Sequence, residues 1–127
     1  TGKSIRLFFT KQDGSLSFEH TGGVDTTGYR YLHMKIYAGV TDHEWQQLII
    51  TLYGANGEKL GTRDVMMYSG NGRLLMQTWN NANIPLRELG ATDTLVKAID
   101  IENVNVTQEG DHVWIDDVRF IDDYTAI

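Results

Sequence analysis

Residues 112–122 read HVWIDDVRFID and combine the strongest strand signal in the chain with its most awkward charges. Val113, Trp114, Ile115, Val118, Phe120 and Ile121 suit a pleated, buried surface. Asp116 and Asp117 interrupt them. Adjacent residues of a regular strand project to opposite faces, so one of the two carboxylates is expected to approach the core. There it needs an arginine, backbone N–H groups or a cation. A closing strand of this kind requires a sheet, which the residues upstream must supply.

Upstream, turn signals recur at short intervals: Asp13-Gly14, Gly22-Gly23, Asn56-Gly57, Ser69-Gly70-Asn71-Gly72 and Gly110-Asp111. The runs between them read as strands over 5–10, 16–21, 29–38, 46–53, 62–68, 74–79 leading into 84–86, 96–106 and 113–121. Only Pro85-Leu86-Arg87-Glu88-Leu89-Gly90, with Pro first and Gly last, has the form of a helical turn. There is no repeat, linker or low-complexity segment. The pattern predicts an all-β fold, a two-sheet antiparallel sandwich or jelly roll, as a single domain over 1–127.

At 127 residues the chain can bury a core of its own. The formal net charge of -6 disfavours nucleic acid and anionic membranes, which select clustered Lys and Arg. Without cysteine, neither disulfides nor thiolate metal sites are available. No apolar run is long enough to span a bilayer, and no signal peptide is visible. A start at Thr1 fits a domain cut from a longer or processed protein.

Alternation assigns faces. In 29–38, Leu32, Met34, Ile36 and Ala38 form the core row, leaving Tyr29, Tyr31, His33, Lys35 and Tyr37 outside. In 46–53, Leu48, Ile50 and Leu52 point inward, so Gln47, Ile49, Thr51 and Tyr53 point outward. Ile99 and Ile101 are likewise inward, with Asp100 and Glu102 outward.

Three segments in order then resemble a known family: Gly28-Tyr29-Arg30-Tyr31-Leu32-His33-Met34-Lys35-Ile36; Trp79 followed by Asn83-Ile84-Pro85-Leu86 and Leu89-Gly90; and Val113-Trp114-Ile115-Asp116-Asp117-Val118-Arg119-Phe120. They are similar to the jelly-roll, galactose-binding-domain-like carbohydrate-binding modules joined to bacterial plant-polysaccharide hydrolases, with the β-1,4-glucan-binding family 81 as the nearest group. The resemblance covers 25–121. It implies a concave sheet containing the strands of 46–53 and 99–103, on which a glycan chain lies, and a convex sheet containing 29–38 and the closing strand. The start of the chain departs from the family pattern, because the usual Phe-Glu pair and an extra early strand are missing.

Sugar chemistry makes these residue types intelligible. The C–H face of a pyranose lies well on the negative face of an aromatic ring, and its hydroxyls need both donors and acceptors. Trp45, Tyr53, Tyr68 and Trp79 are the candidate platforms, and Gln47, Thr51, Arg63, Asp100 and Glu102 the candidate polar contacts. Each has a plainer reading: Trp79 as a half-buried strand-entry residue, Tyr53 as a cross-strand packing partner, Asp100 and Glu102 as a solvated face. Trp114 reads more readily as core beside Val118 and Phe120. The resemblance also implies a structural calcium held by Asp116. The alternative is a carboxylate satisfied by backbone N–H groups or by Arg6, Arg30 or Arg119.

Catalysis is not expected. Asp100 and Glu102 would stand about 7 Å apart along one strand, side by side instead of facing each other across a sugar. No nucleophile-elbow motif occurs, and His20, His33, His43 and His112 lack metal-ligand spacing. The expectation is a secreted, extracellular bacterial module, monomeric, needing no cofactor. It would hold a covalently linked glycoside hydrolase on β-1,4-glucans such as cellulose chains, mixed-linkage β-glucan or xyloglucan. The alternatives are another plant polysaccharide (mannan, xylan, galactan), a non-binding spacer or adhesion domain, or a small glycosidase.

Overall fold

The structure is a computed structural model and describes residues 4–6, 16–38, 47–69, 78–104 and 113–122. Eight strands occur among them: β1 Ser4–Arg6, β2 Leu16–Asp25, β3 Tyr31–Ala38, β4 Gln47–Gly54, β5 Lys59–Asp64, β6 Trp79–Pro85, β7 Leu95–Val104 and β8 Val113–Ile121. They form two antiparallel sheets, ordered β1-β8-β3-β6 and β2-β7-β4-β5. Except for the β4–β5 hairpin, each connection passes from one sheet to the other, which is jelly-roll connectivity. The four central strands divide as expected, with β4 beside β7 in the second sheet and β3 beside β8 in the first.

The alternating rows produce the core. Leu32, Met34 and Ile36 of β3 face Leu48, Ile50 and Leu52 of β4, joined by Ile99 and Ile101 of β7 and Val118 and Phe120 of β8, all essentially inaccessible to solvent. Each such side chain contributes about 1.5–3 kcal/mol on burial, which makes these rows the main driving force for sheet pairing. Two 3-10 turns, Val65–Tyr68 and Leu86–Leu89, close the ends of the layer with buried Val65, Leu86 and Leu89. A polar pin ties two loops together: the buried Thr26 hydroxyl donates to the Ala91 carbonyl (2.6 Å) and accepts from the Thr94 N–H (3.0 Å).

Three expectations are corrected. The segment 62–68 is not one strand: β5 ends at Asp64 and continues as a 3-10 turn. The chain must leave the second sheet there, since Ser69 already bridges Ala82 of the first. The break anticipated after Trp79 does not exist, because β6 runs unbroken through the Asn-rich stretch to Pro85. Its buried Asn80 amide donates to the Ile36 carbonyl (3.1 Å), so a residue poor in strand propensity is held by a cross-strand bond. Finally, His33 falls on the outer row of β3 yet is fully buried. The runs 7–10, 74–77 and 105–106 lie outside the described residues.

Candidate functional site

The outer face of the second sheet is built by the residues between the core rows. Asp100, Thr51 and Thr62 are matched across β7, β4 and β5, with the backbone position of Ser17 on β2 opposite Asp100, a row roughly 14 Å long at the usual strand spacing. The Thr51 and Thr62 hydroxyls share a hydrogen bond of 3.1 Å. One row along, Glu102, Ile49 and Asp64 are matched, and on the other side Tyr53 stands opposite Ala98. Thr51, Tyr53, Asp100 and Glu102 therefore occupy one surface, as alternation predicts. Gln47 opens β4, and its side chain lies outside the described residues.

At one end of this surface is a groove of about 520 Å³ lined by Glu19, Tyr53, the turn residues Gly54, Ala55, Asn56 and Gly57, and Lys97 with Ala98. Two local features create it. The β4–β5 hairpin rises beside Tyr53, held by Gly54 N–H to Glu58 O (2.8 Å) and by the Glu58 carboxylate accepting from Asn56 N–H (2.9 Å). On β7 a bulge leaves Lys97 without an opposite residue, because Tyr53 pairs with Ala98 and Gly54 with Val96. Bulges re-aim side chains in this way, and here Lys97 is exposed at the groove while Val96 and Ile99 are both buried. Glu19, Asn56 and Lys97 were not among the residues anticipated. Their signal was weak, since each sits in a turn or at a register shift where alternation fails.

The remaining candidates are dispersed. Arg63 is opposite Ile50, on the core side of the edge strand β5, and reaches back to the Thr62 carbonyl (2.7 Å). Arg63 and Glu88 both act on the Tyr68 hydroxyl. Tyr68 packs against the core from the 3-10 turn, and its hydroxyl titrates above the usual tyrosine range, first through burial and then through the Glu88 carboxylate. It lies in the 3-10 turn that follows β5, not on a strand of the second sheet. Trp79 belongs to β6 in the other sheet, 50% exposed with its ring 5.4 Å from Tyr37. Trp45 lies outside the described residues, and so does the side chain of Trp114.

The closing strand corrects the expectation that one of its two carboxylates enters the core. A bulge opposite Met34, with Asp117 at φ 53°, keeps both carboxylates on the outer side of the first sheet. Asp116 is exposed and accepts from the Asp117 N–H (2.7 Å). Asp117 is paired with Arg119 and stands 3.9 Å from Lys35 Nζ and 3.7 Å from His33 Nε2. A calcium ion takes six to eight oxygens. Asp116 offers one exposed carboxylate, and no group of three or more His, Cys, Asp or Glu placed to hold a metal occurs among the described residues. Among the described residues, Asp116 is therefore not part of such a group.

His33 is the hidden member of this cluster. Its Nδ1–H donates to Asn83 Oδ1 (2.8 Å), while Nε2 has no hydrogen-bond partner. Burial lowers its pKa below 6.5. The Asn83 bond and the Asp117 carboxylate oppose that shift, and Lys35 and Arg119 reinforce it. Between the lowered folded value and about 6.5 the unfolded chain binds more protons, so stability falls as pH drops through this window. His33→Gln is expected to flatten the slope of unfolding free energy between pH 7 and 5, read by urea titration. One group contributes at most about 1.4 kcal/mol per pH unit, and identical slopes in both proteins would contradict a neutral His33.

Among the described residues, no helix is long and apolar enough to cross a membrane. Comparison with protein-family models and with curated proteins finds no match to this chain.

Proposed function

We propose that the domain is a non-catalytic carbohydrate-binding module that holds an appended glycoside hydrolase on β-1,4-linked glucans outside the cell. The observation that carries this reading is the outer face of the second sheet. There a row of hydroxyl and carboxylate groups, Thr62, Thr51 and Asp100, runs beside the partly exposed Tyr53 ring and its groove. A pyranose stacked on Tyr53 meets Glu19, Asn56 and Lys97 around its rim, which supply acceptors and donors to its hydroxyls. The mix of both charges at the groove suits a neutral glycan. Tethering raises the local concentration of the hydrolase on an insoluble substrate, so modest affinity is sufficient. The reading needs no metal and no second subunit.

The test is affinity electrophoresis in gels containing soluble β-1,4-glucans, mannan, xylan or galactan, run beside an assay for released reducing sugar. Retardation by β-1,4-glucans without sugar release is expected. Tyr53→Ala is expected to weaken binding about tenfold or more, equivalent to about 1.4 kcal/mol, with an unchanged Tm. Retardation by none of the glycans would favour a spacer domain, and released sugar would make Asp100 and Glu102 candidates for catalysis.

A further inference from the structure

The outer face of the first sheet carries a second arrangement of aromatic and polar groups. Trp79 of β6, Tyr37 of β3 and the backbone position of Trp114 on β8 are matched in register across three neighbouring strands. The Trp79 and Tyr37 rings are 5.4 Å apart and inclined at 58°, and Trp79 keeps half of its surface exposed on the edge strand. Two residues along each strand lies a matched polar row: Asn81, Lys35 and Asp116. Asn81 and Asp116 are exposed, and the Lys35 side chain is 40% exposed. By the usual strand and residue spacings the two rows cover a strip roughly 10 Å long and 7 Å wide.

The chemistry of the strip selects its occupant. The desolvated centre of a protein–protein interface is depleted in charged groups, whereas here the Trp79 and Tyr37 rings lie directly beside an amide, an ammonium and a carboxylate. Lys35 and Asp116 cancel in charge, so the strip has no bias toward a charged ligand. Donors and acceptors beside an exposed indole are what a pyranose needs: a C–H face to stack and hydroxyls to pair. We propose that this strip is a second carbohydrate-contact surface, which takes a neutral β-linked glycan chain lying across β6, β3 and β8, with a sugar ring over Trp79 and its hydroxyls toward Asn81, Lys35 and Asp116. Contact surfaces on opposite faces of one sandwich allow a single module to bridge two chains. The proposal shares its ligand class with the proposed function but rests on the other sheet.

The experiment is isothermal titration of the full chain with cellohexaose, xylohexaose and mannohexaose, for wild type, Tyr53→Ala, Trp79→Ala and the double variant, with Tm measured for each. Trp79→Ala is expected to remove one binding equivalent or weaken binding at least fivefold, and the double variant to abolish it. Because Trp79 also packs on Tyr37, the exposed Asn81→Ala is a second probe, expected to weaken binding with Tm unchanged. Binding unaltered by Trp79→Ala and Asn81→Ala in both backgrounds overturns the proposal. Loss with Trp79→Ala and Asn81→Ala but not with Tyr53→Ala supports it and removes the second-sheet site instead. No binding of any of the three sugars by wild type overturns both.

Discussion

Phe120→Ala is expected to lower the unfolding free energy by about 3–5 kcal/mol, the largest single effect at any position of the core. Phe120 is completely buried and sits in β8, matched to Ile5 of β1 on one side and Leu32 of β3 on the other. Its ring lies 6.3 Å from that of Tyr29, which packs on the core. Truncation therefore leaves a cavity flanked by backbone that two sheet neighbours hold in place, so collapse cannot fill it. For a domain of this size the loss corresponds to a Tm roughly 10–20 °C lower. Urea unfolding should show a lower midpoint at unchanged slope. A cost below about 1 kcal/mol would mean that Phe120 is not at the centre of the packing.

Gly61→Ala and Gly90→Ala are each expected to cost about 2–5 kcal/mol, because these glycines let two backbones touch. A Cβ on Gly61 would stand 2.6 Å from the carbonyl carbon and oxygen of Leu89, and a Cβ on Gly90 would stand 2.3 Å from the Leu60 oxygen. Neither obstacle is a side chain that can rotate away. Gly90 also ends the 3-10 turn Leu86–Leu89 at φ 64°, a left-handed conformation that resists any Cβ. The contact fastens that turn to β5, whose next residue, Thr62, bonds Thr51 on the proposed binding face. Gly61→Ala is thus expected to reduce glycan binding as well as Tm. Gly22→Ala is the control: nothing lies within 4 Å of its added Cβ, so a change of no more than about 0.5 kcal/mol is expected. Equal effects at Gly22 and Gly61 would refute the backbone contact.

These two sites differ in how far the sequence announces them. Phe120 is legible from its strand, where Val118 and Phe120 alternate with Arg119. Gly61 is not, since its role comes from Leu89, distant in the chain and brought alongside only by folding. The candidate site divides the same way. Thr51, Tyr53, Asp100 and Glu102 share a face because period-two alternation places residues that alternate with Leu52 and Ile101 on the opposite side. The sides of Arg63 and Tyr68 could not be read locally, because the exact start of β5 after the Asn56-Gly57 turn, and its end at Asp64, set which side each residue takes.

The sequence by itself determined the all-β class, the core rows of β3, β4 and β7, and the turn 86–89, because alternation and Pro/Gly placement are local and need no partner. Only the tertiary structure decided that Trp79 stands with Tyr37 on one sheet while Tyr53 stands on the other. It alone decided that the bulge at Asp117 keeps both carboxylates off the core and that His33 is buried beneath their cluster. Sheet membership, register and bulges depend on pairing between residues tens of positions apart, and a local pattern carries no record of which strand will lie alongside.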